Sequence, residues 1–102
     1  MAITNANILA TATTLYTSSG NTVVSTLHLC NNTASTVLVD VHLVPSGGTK
    51  GATNIIYSNL SIAAHDTHIS STERFVMSNG DFIAASANVA NSVIASVTYA
   101  SV

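Results

Sequence analysis

The only cluster of titratable side chains in the sequence is His65-Asp66-Thr67-His68. Two histidines and a carboxylate form a ligand set that transition metals accept. On a β-strand, however, positions 65 and 68 face opposite ways, so the two rings converge only if residues 66 and 67 form a tight turn. We therefore expect a surface turn in which Asp66 caps its own backbone, and no metal site.

The other candidates for chemistry are the single cysteine and the two remaining histidines. Cys30 has only His28 as a nearby potential cation, so it is predicted to be a small buried hydrophobe rather than a nucleophile. Asp40 and His42 share a strand face, but no Gly-x-Ser-x-Gly elbow accompanies them. His28 and His42 are expected to be solvated or interface histidines. We predict no catalytic residue, no cofactor and no enzymatic activity.

Several kinds of binding partner are excluded by composition. Two cations, Lys50 and Arg74, with five aromatic residues and no Trp are too few to neutralise phosphates or stack bases, so nucleic acid is not an expected partner. No apolar stretch approaches the roughly 20 residues of a membrane span. The first residues show neither the basic nor the apolar segment of a signal peptide. A sugar-binding module normally presents aromatic platforms, so this remains a minor alternative.

The elements that would position these residues are β-strands, because apolar and polar residues alternate with a period of two. Turn residues divide the chain into seven predicted strands, at residues 8–16, 22–30, 36–44, 54–62, 67–77, 82–87 and 92–102. Seven short strands in 102 residues predict an all-β protein, a single Ig-like or jelly-roll β-sandwich that spans residues 1–102. Residues 1–6 are expected to be a flexible or partner-docked arm.

The alternation also predicts which residues form the core. On the second strand, Val23 is placed on the inward face with the two leucines. A flexible surface loop is expected after Pro45, and Asn79-Gly80 predicts a type I′ hairpin turn. Glu73 and Arg74 are expected to be a solvated pair, with an orienting contact at an interface as the alternative. The predicted core consists of Leu27, Leu29, Val37, Val39, Val41, Leu43, Ile83 and residues from 92–97.

The surface is unusually poor in charge. Charged residues make up 6% of the chain, against roughly 25% in an ordinary soluble domain. Its polarity comes from 14 Ser, 14 Thr and 10 Asn. Such a surface is packed against copies of itself without the cost of desolvating charges. The composition therefore predicts a homo-oligomer, most simply a trimer, and favours a structural protein over an enzyme.

Three segments carry a resemblance to a known group of proteins. They are VVSTLHLCNN at 23–32, LSIAAHDT at 60–67 and FVMSNGDFIAASA at 75–87. This succession of strands and turns resembles the small β-sandwich virion proteins of tailed bacteriophages over about residues 8–100. Two positions depart from the pattern: Ala63 stands where such proteins often carry Pro, and residues 18–21 replace a common Pro-x-Gly-Lys turn.

The resemblance implies a virion structural protein made in the host cytoplasm. We expect a capsid decoration or cement protein that binds copies of itself and other virion proteins, such as the major capsid protein. A neck, baseplate or tail-fibre component is the first alternative. A carbohydrate-binding or adhesin module is the second.

Overall fold

The computed structural model describes residues 2–11, 13–51, 53–70 and 75–101. Its regular structure is entirely β, and every strand pairing is antiparallel. Among the residues described, none forms a helix of the length and apolarity needed to cross a bilayer. The nine strands are β1 (Ala2–Ile8), β2 (Thr13–Thr17), β3 (Thr22–Asn31), β4 (Val37–Val44), β5 (Ile55–Ile62), β6 (Thr67–Ser70), β7 (Phe75–Met77), β8 (Phe82–Ala87) and β9 (Val93–Ser101).

The strands form two antiparallel sheets, which confirms an all-β, sandwich-type architecture. The five-stranded sheet has the order β1-β9-β3-β6, and β7 pairs with β3 beyond the end of β6. The four-stranded sheet has the order β2-β8-β4-β5. Most consecutive strands therefore lie in different sheets, and the longest pairings join segments that are far apart in the sequence, β1 with β9 and β9 with β3.

The predicted bounds of the first strand are wrong, whereas those of the fifth run, residues 67 and 77, are the observed ones. The run predicted over 8–16 is divided, because β1 ends at Ile8 and β2 begins at Thr13. β1 pairs along its whole length with β9, so the described part of the expected arm is an edge strand of the five-stranded sheet. The run predicted over 67–77 is β6 and β7, and residues 71–74 between them, which include the Glu73-Arg74 pair, lie outside the described residues.

A bulge in β3 overturns the predicted face of Val23. The register between β3 and β9 shifts between Val24 and Thr26. One extra residue, Ser25, reverses the alternation on one side of the bulge. Leu27 and Leu29 are buried as predicted, whereas before the bulge Val24 is the buried valine and Val23 is only half-buried.

The core lies between the two sheets and matches most of the prediction. Leu43 is the exception, since it is partly buried and packs against the edge of the cluster. The core also includes residues that the prediction omitted, namely Ile8, Leu15, Val24, Ile62, Met77, Ala85 and Ala87. Two aromatic contacts join the sheets: Tyr16 stacks on Tyr99 with ring centroids 4.2 Å apart, and Tyr57 meets His68 edge-on at 5.2 Å.

The turn between β7 and β8 differs from the predicted type I′ turn. Asp81 N donates to Ser78 O across the turn at 3.1 Å. Gly80 has a φ of +89°, but Asn79 is not among the residues with positive φ. A type I′ turn requires positive φ at both central positions, so this pattern is that of a type II turn.

Candidate functional site

The cluster at residues 65–68 forms a surface turn, as predicted. His65 is exposed with a φ of +55°, and Asp66 Oδ1 accepts a hydrogen bond from Thr67 N at 2.9 Å. His68 belongs to β6 and packs its ring against Tyr57. Within the described ranges, no three His, Cys, Asp or Glu side chains come together to hold a metal ion.

Asp40 and His42 each have a separate structural partner. Asp40 Oδ1 accepts a hydrogen bond from Asn59 N at 2.7 Å. Asn59 has a φ of +50° and lies where the register between β4 and β5 shifts. The carboxylate thus accepts a hydrogen bond from a backbone N–H at the bulge, where regular strand pairing provides no acceptor. This explains Asp40 without catalysis.

His42 was predicted to be solvated or at an interface, and this is wrong. The side chain is 4% exposed, although it lies on the outer side of β4. Its Nδ1 lies 3.1 Å from Gly51 O and 2.9 Å from Asn54 Oδ1. Because both partners are acceptors, Nδ1 carries the hydrogen. The loop after Pro45 is therefore on the surface, as predicted, but hydrogen bonds with His42 attach its end to the outer side of β4.

Asn54 completes this attachment of the loop. Its Oδ1 also accepts from Gly51 N at 2.9 Å, and its Nδ2 donates to Thr49 O at 2.9 Å. Val44 and Ala84 are buried outside the main core cluster, and Val44 lies against Gly48 of the loop. One part of the outer surface of the four-stranded sheet is thus covered by the protein's own chain.

Asn31 fixes one end of the sandwich. Its side chain is 0% exposed, and Nδ2 lies within hydrogen-bonding distance of three carbonyl oxygens, those of Ser35, Ile62 and Ala63. Its Oδ1 accepts from the backbone N and the hydroxyl of Thr33. The Asn-Asn-Thr sequence at 31–33 therefore connects the turns at this end of the sandwich, and the Asn31 side chain is not accessible to solvent.

Asp81 has the same role at the opposite end. Its Oδ1 accepts from Ser46 N and its Oδ2 from Ser78 N, both at 2.9 Å. Its backbone O accepts from Ser18 N at 2.8 Å. Three turns are thus joined through one residue. Sequence reasoning treated Asp81 only as part of a hairpin signal.

An open depression of about 210 Å³ lies on the four-stranded sheet. It is lined by Ala10, Leu38, Asp40, Asn59, Ser86, Ala87 and Asn88. Two of the polar groups that line it already have partners within the chain: Asp40 Oδ1 accepts from Asn59 N, and Asn88 Oδ1 accepts from Leu38 N at 3.0 Å. Tyr16, Tyr57, Tyr99 and Phe75 instead pack against the core.

The outer side of the five-stranded sheet, which we call the neutral face, is not covered by any other part of the chain that the structure describes. The strand registers place its residues in rows across the sheet, for example Asn5, Ser96, His28 and Ile69. None of its residues is buried. The neutral face consists of Ile3, Asn5, Asn7, Val23, Thr26, His28, Cys30, Thr67, Ile69, Val76, Ile94, Ser96, Thr98 and Ala100.

None of these fourteen residues is an acid, a lysine or an arginine. The charged residues of the described chain lie elsewhere: Asp40 on β4, Lys50 in the covering loop, and Asp66 and Asp81 in turns. Cys30, which was predicted to be buried, is only half-buried and lies on this face. Sequence reasoning found the scarcity of charge but did not locate it on one sheet.

Large apolar side chains stand exposed at the margins of the neutral face. Val76 is 76% exposed, Ile3 is 69% exposed and Ile69 is 54% exposed. They lie on β7, β1 and β6, the strands at the two sides of the sheet. These side chains add exposed apolar area at both sides of the neutral face and do not form one contiguous patch.

Comparison with known proteins gives no further identification. No family model, no curated protein and no solved structure matches this chain.

Proposed function

We propose that the protein is a non-enzymatic structural component of a bacteriophage particle that decorates the head and stabilises it. Two observations support this function: the resemblance of three segments to small virion proteins of tailed phages, and the neutral face. The neutral face carries the proposal, because a surface whose described residues include no acid, lysine or arginine packs against another protein chain, a second copy included, without desolvating such ions. The protein would be made in the host cytoplasm and reside in the virion.

We further propose that the sandwich is a jelly roll. With β6 and β7 counted as two parts of one strand beside β3, the molecule has eight strands in two four-stranded sheets. Among consecutive strands, only β4 and β5 pair with each other. An Ig-like sandwich contains several such hairpins within a sheet, so the strand order favours the jelly roll. Jelly rolls occur in viral capsid proteins and in lectins.

The end regions support a structural role on physical grounds. Asn31 and Asp81 tie the turns at the two ends, and the His42-Asn54 contacts hold down the long loop. A domain fixed in this way loses little conformational entropy when it docks on a lattice. Polar side chains that an enzyme would use for chemistry are here engaged by backbone groups.

The function is tested by comparing particles with and without the protein. A protein that binds the assembled lattice and not its free subunit raises the melting temperature of the particle by mass action. We expect particles assembled without it to uncoat at a lower temperature in a DNA-release assay. Adding back the purified protein should restore the original melting temperature. Unchanged melting, with the protein absent from particles, would refute the proposal.

Two alternatives predict different observations. A neck, baseplate or tail-fibre component would be present in particles in few copies and would leave head melting unchanged. A carbohydrate-binding or adhesin module is favoured only by the depression beside Asp40, whose lining offers carboxylate, amide and hydroxyl groups. That module would bind glycans as an isolated domain, and Ser86→Lys would abolish the binding.

A further inference from the structure

We propose that the neutral face binds the same face of a second copy of this chain, with the two copies related by a two-fold axis. The inference rests on the proposed function, that of a structural protein that assembles with other chains. It names the partner that the neutral face binds. The contact is sheet on sheet, with β3 and β9 at its centre.

The absence of acids, lysines and arginines among the described residues of the neutral face favours a second copy over a charged partner. A charged partner would have to desolvate its ions against a face that, in its described residues, has none to pair with them. The same face on another copy likewise has no acid, lysine or arginine among its described residues, so apposition brings none of these side chains into the contact unpaired. Thr26 and Thr98 lie at its centre, where short side chains allow two sheets to approach closely.

Two hydroxyl groups on this side of the sheet are already satisfied within the chain. Ser96 Oγ donates to Asn5 Oδ1 at 2.7 Å, and the Oγ of the bulged Ser25 donates to Thr98 O at 3.2 Å. These hydroxyl hydrogens keep their acceptors when water leaves the surface. At the margins, the exposed Ile3 and Val76 add apolar area whose removal from water favours association.

The size of the face agrees with a weak, reversible dimer. Four strands at about 4.8 Å spacing and about 8 residues long, at about 3.3 Å per residue, give a footprint of about 500 Å² per copy. Two footprints come to about 1,000 Å², the lower limit for a specific interface. The dimer should therefore dissociate on dilution. A two-fold contact closes at two copies, so it replaces the trimer predicted from composition.

The reactivity of Cys30 tests the proposed contact in the wild-type protein. It is the only cysteine of the chain, and it lies half-buried on the neutral face. Only the free chain should react with a maleimide there. Where about nine-tenths of the chains are paired, the labelling rate should fall about tenfold relative to dilute protein. A control cysteine at Ser61, exposed on the other sheet, in a Cys30→Ser background should label at a rate independent of concentration.

A charged side chain placed at the centre of the neutral face tests the same contact through the molecular mass of the protein in solution. Thr98→Lys adds a cation on β9, where the Thr98 hydroxyl makes no hydrogen bond. Ser86→Lys is the matched control, a half-buried outward position on the central strand β8 of the other sheet. We expect sedimentation equilibrium to show a monomer–dimer equilibrium for wild type and Ser86→Lys, and monomer alone for Thr98→Lys. Val76→Lys, at a 76% exposed site, gives the same test if Thr98→Lys does not fold.

Three outcomes would overturn the inference. The first is that the protein is monomeric at every concentration and that the rate of Cys30 labelling by maleimide does not depend on concentration. The second is an oligomer that dissociates with Ser86→Lys but not with Thr98→Lys. The third is Cys30 protection that appears only in assembled particles, which would assign the face to a different virion protein. Because the first two outcomes are measured on purified protein alone, the inference can succeed or fail there independently of whether the protein is found in particles.

Discussion

At the scale of single residues, the side chains with the most contacts serve the fold. Asn31 joins two turns at one end of the sandwich, and Asp81 joins three at the other. Each uses both polar atoms of its head group, which a smaller or apolar side chain cannot do. In a protein with few charges, these amide and carboxylate junctions fix the ends of the strands.

Replacing Asn31 should therefore be costly. Asn31→Ala leaves the carbonyl oxygens of Ser35 and Ile62 and the backbone N of Thr33 without this partner in a buried site. We expect a loss of about 3 kcal/mol in the free energy of unfolding. Urea denaturation monitored by circular dichroism measures it. Asn32→Ala, at the exposed neighbouring position, is the control and should change stability by less than about 0.5 kcal/mol.

The limits of sequence reasoning at this scale are clear from the histidines. A surface turn at 65–68 was predicted in preference to a metal site, because His65 and His68 would face opposite ways on a strand. The burial of His42 was not, because the groups that cover it include Gly51 and Asn54, which lie at and just beyond the end of a loop that sequence patterns describe only as flexible. A contact between a strand and a distant loop has no local signature.

At the scale of elements, regular alternation was predicted well and its interruptions were not. The core positions of β4 follow a strict period of two and were found from sequence, apart from the partial burial of Leu43. The bulge at Ser25 reverses the period, so Val23 and Val24 exchanged faces. β1 was missed because only Ile8 of its seven residues is buried. An edge strand with so little apolar patterning resembles a free segment.

The turn at Gly80 gives a prediction for the element scale. A Cβ added there would lie 2.5 Å from Ser46 Oγ, and the φ of +89° disfavours any L side chain. We expect Gly80→Ala to lower the free energy of unfolding by about 2–3 kcal/mol. Gly20→Ala is the matched control, with a φ of +70° and open space around it, and should cost about 1 kcal/mol.

Thermal denaturation of the two variants separates steric contact from backbone strain. Equal losses of stability would mean that Ser46 moves aside freely and that the turns at 46 and 80 are not packed together. A greater loss for Gly80→Ala would support the joined ends described above.

At the scale of the whole molecule, the two sheets differ in their outer surfaces. The four-stranded sheet is partly covered by its own loop and carries Asp40, whereas the neutral face is uncovered in the described structure. Composition predicted a surface suited to assembly, but locating it required the strand order, which puts β1, β9, β3, β6 and β7 side by side. That order depends on pairings between segments far apart in the sequence, such as β1 with β9 and β9 with β3, which local patterns do not encode.

The proposed role is tested most directly by the number of copies of the protein in each purified particle, measured by quantitative mass spectrometry against the major capsid protein. Decoration of a symmetric head predicts on the order of hundreds of copies, while about six to eighteen would place the protein at the neck or tail. We predict hundreds. Absence of the protein from purified particles would contradict the account.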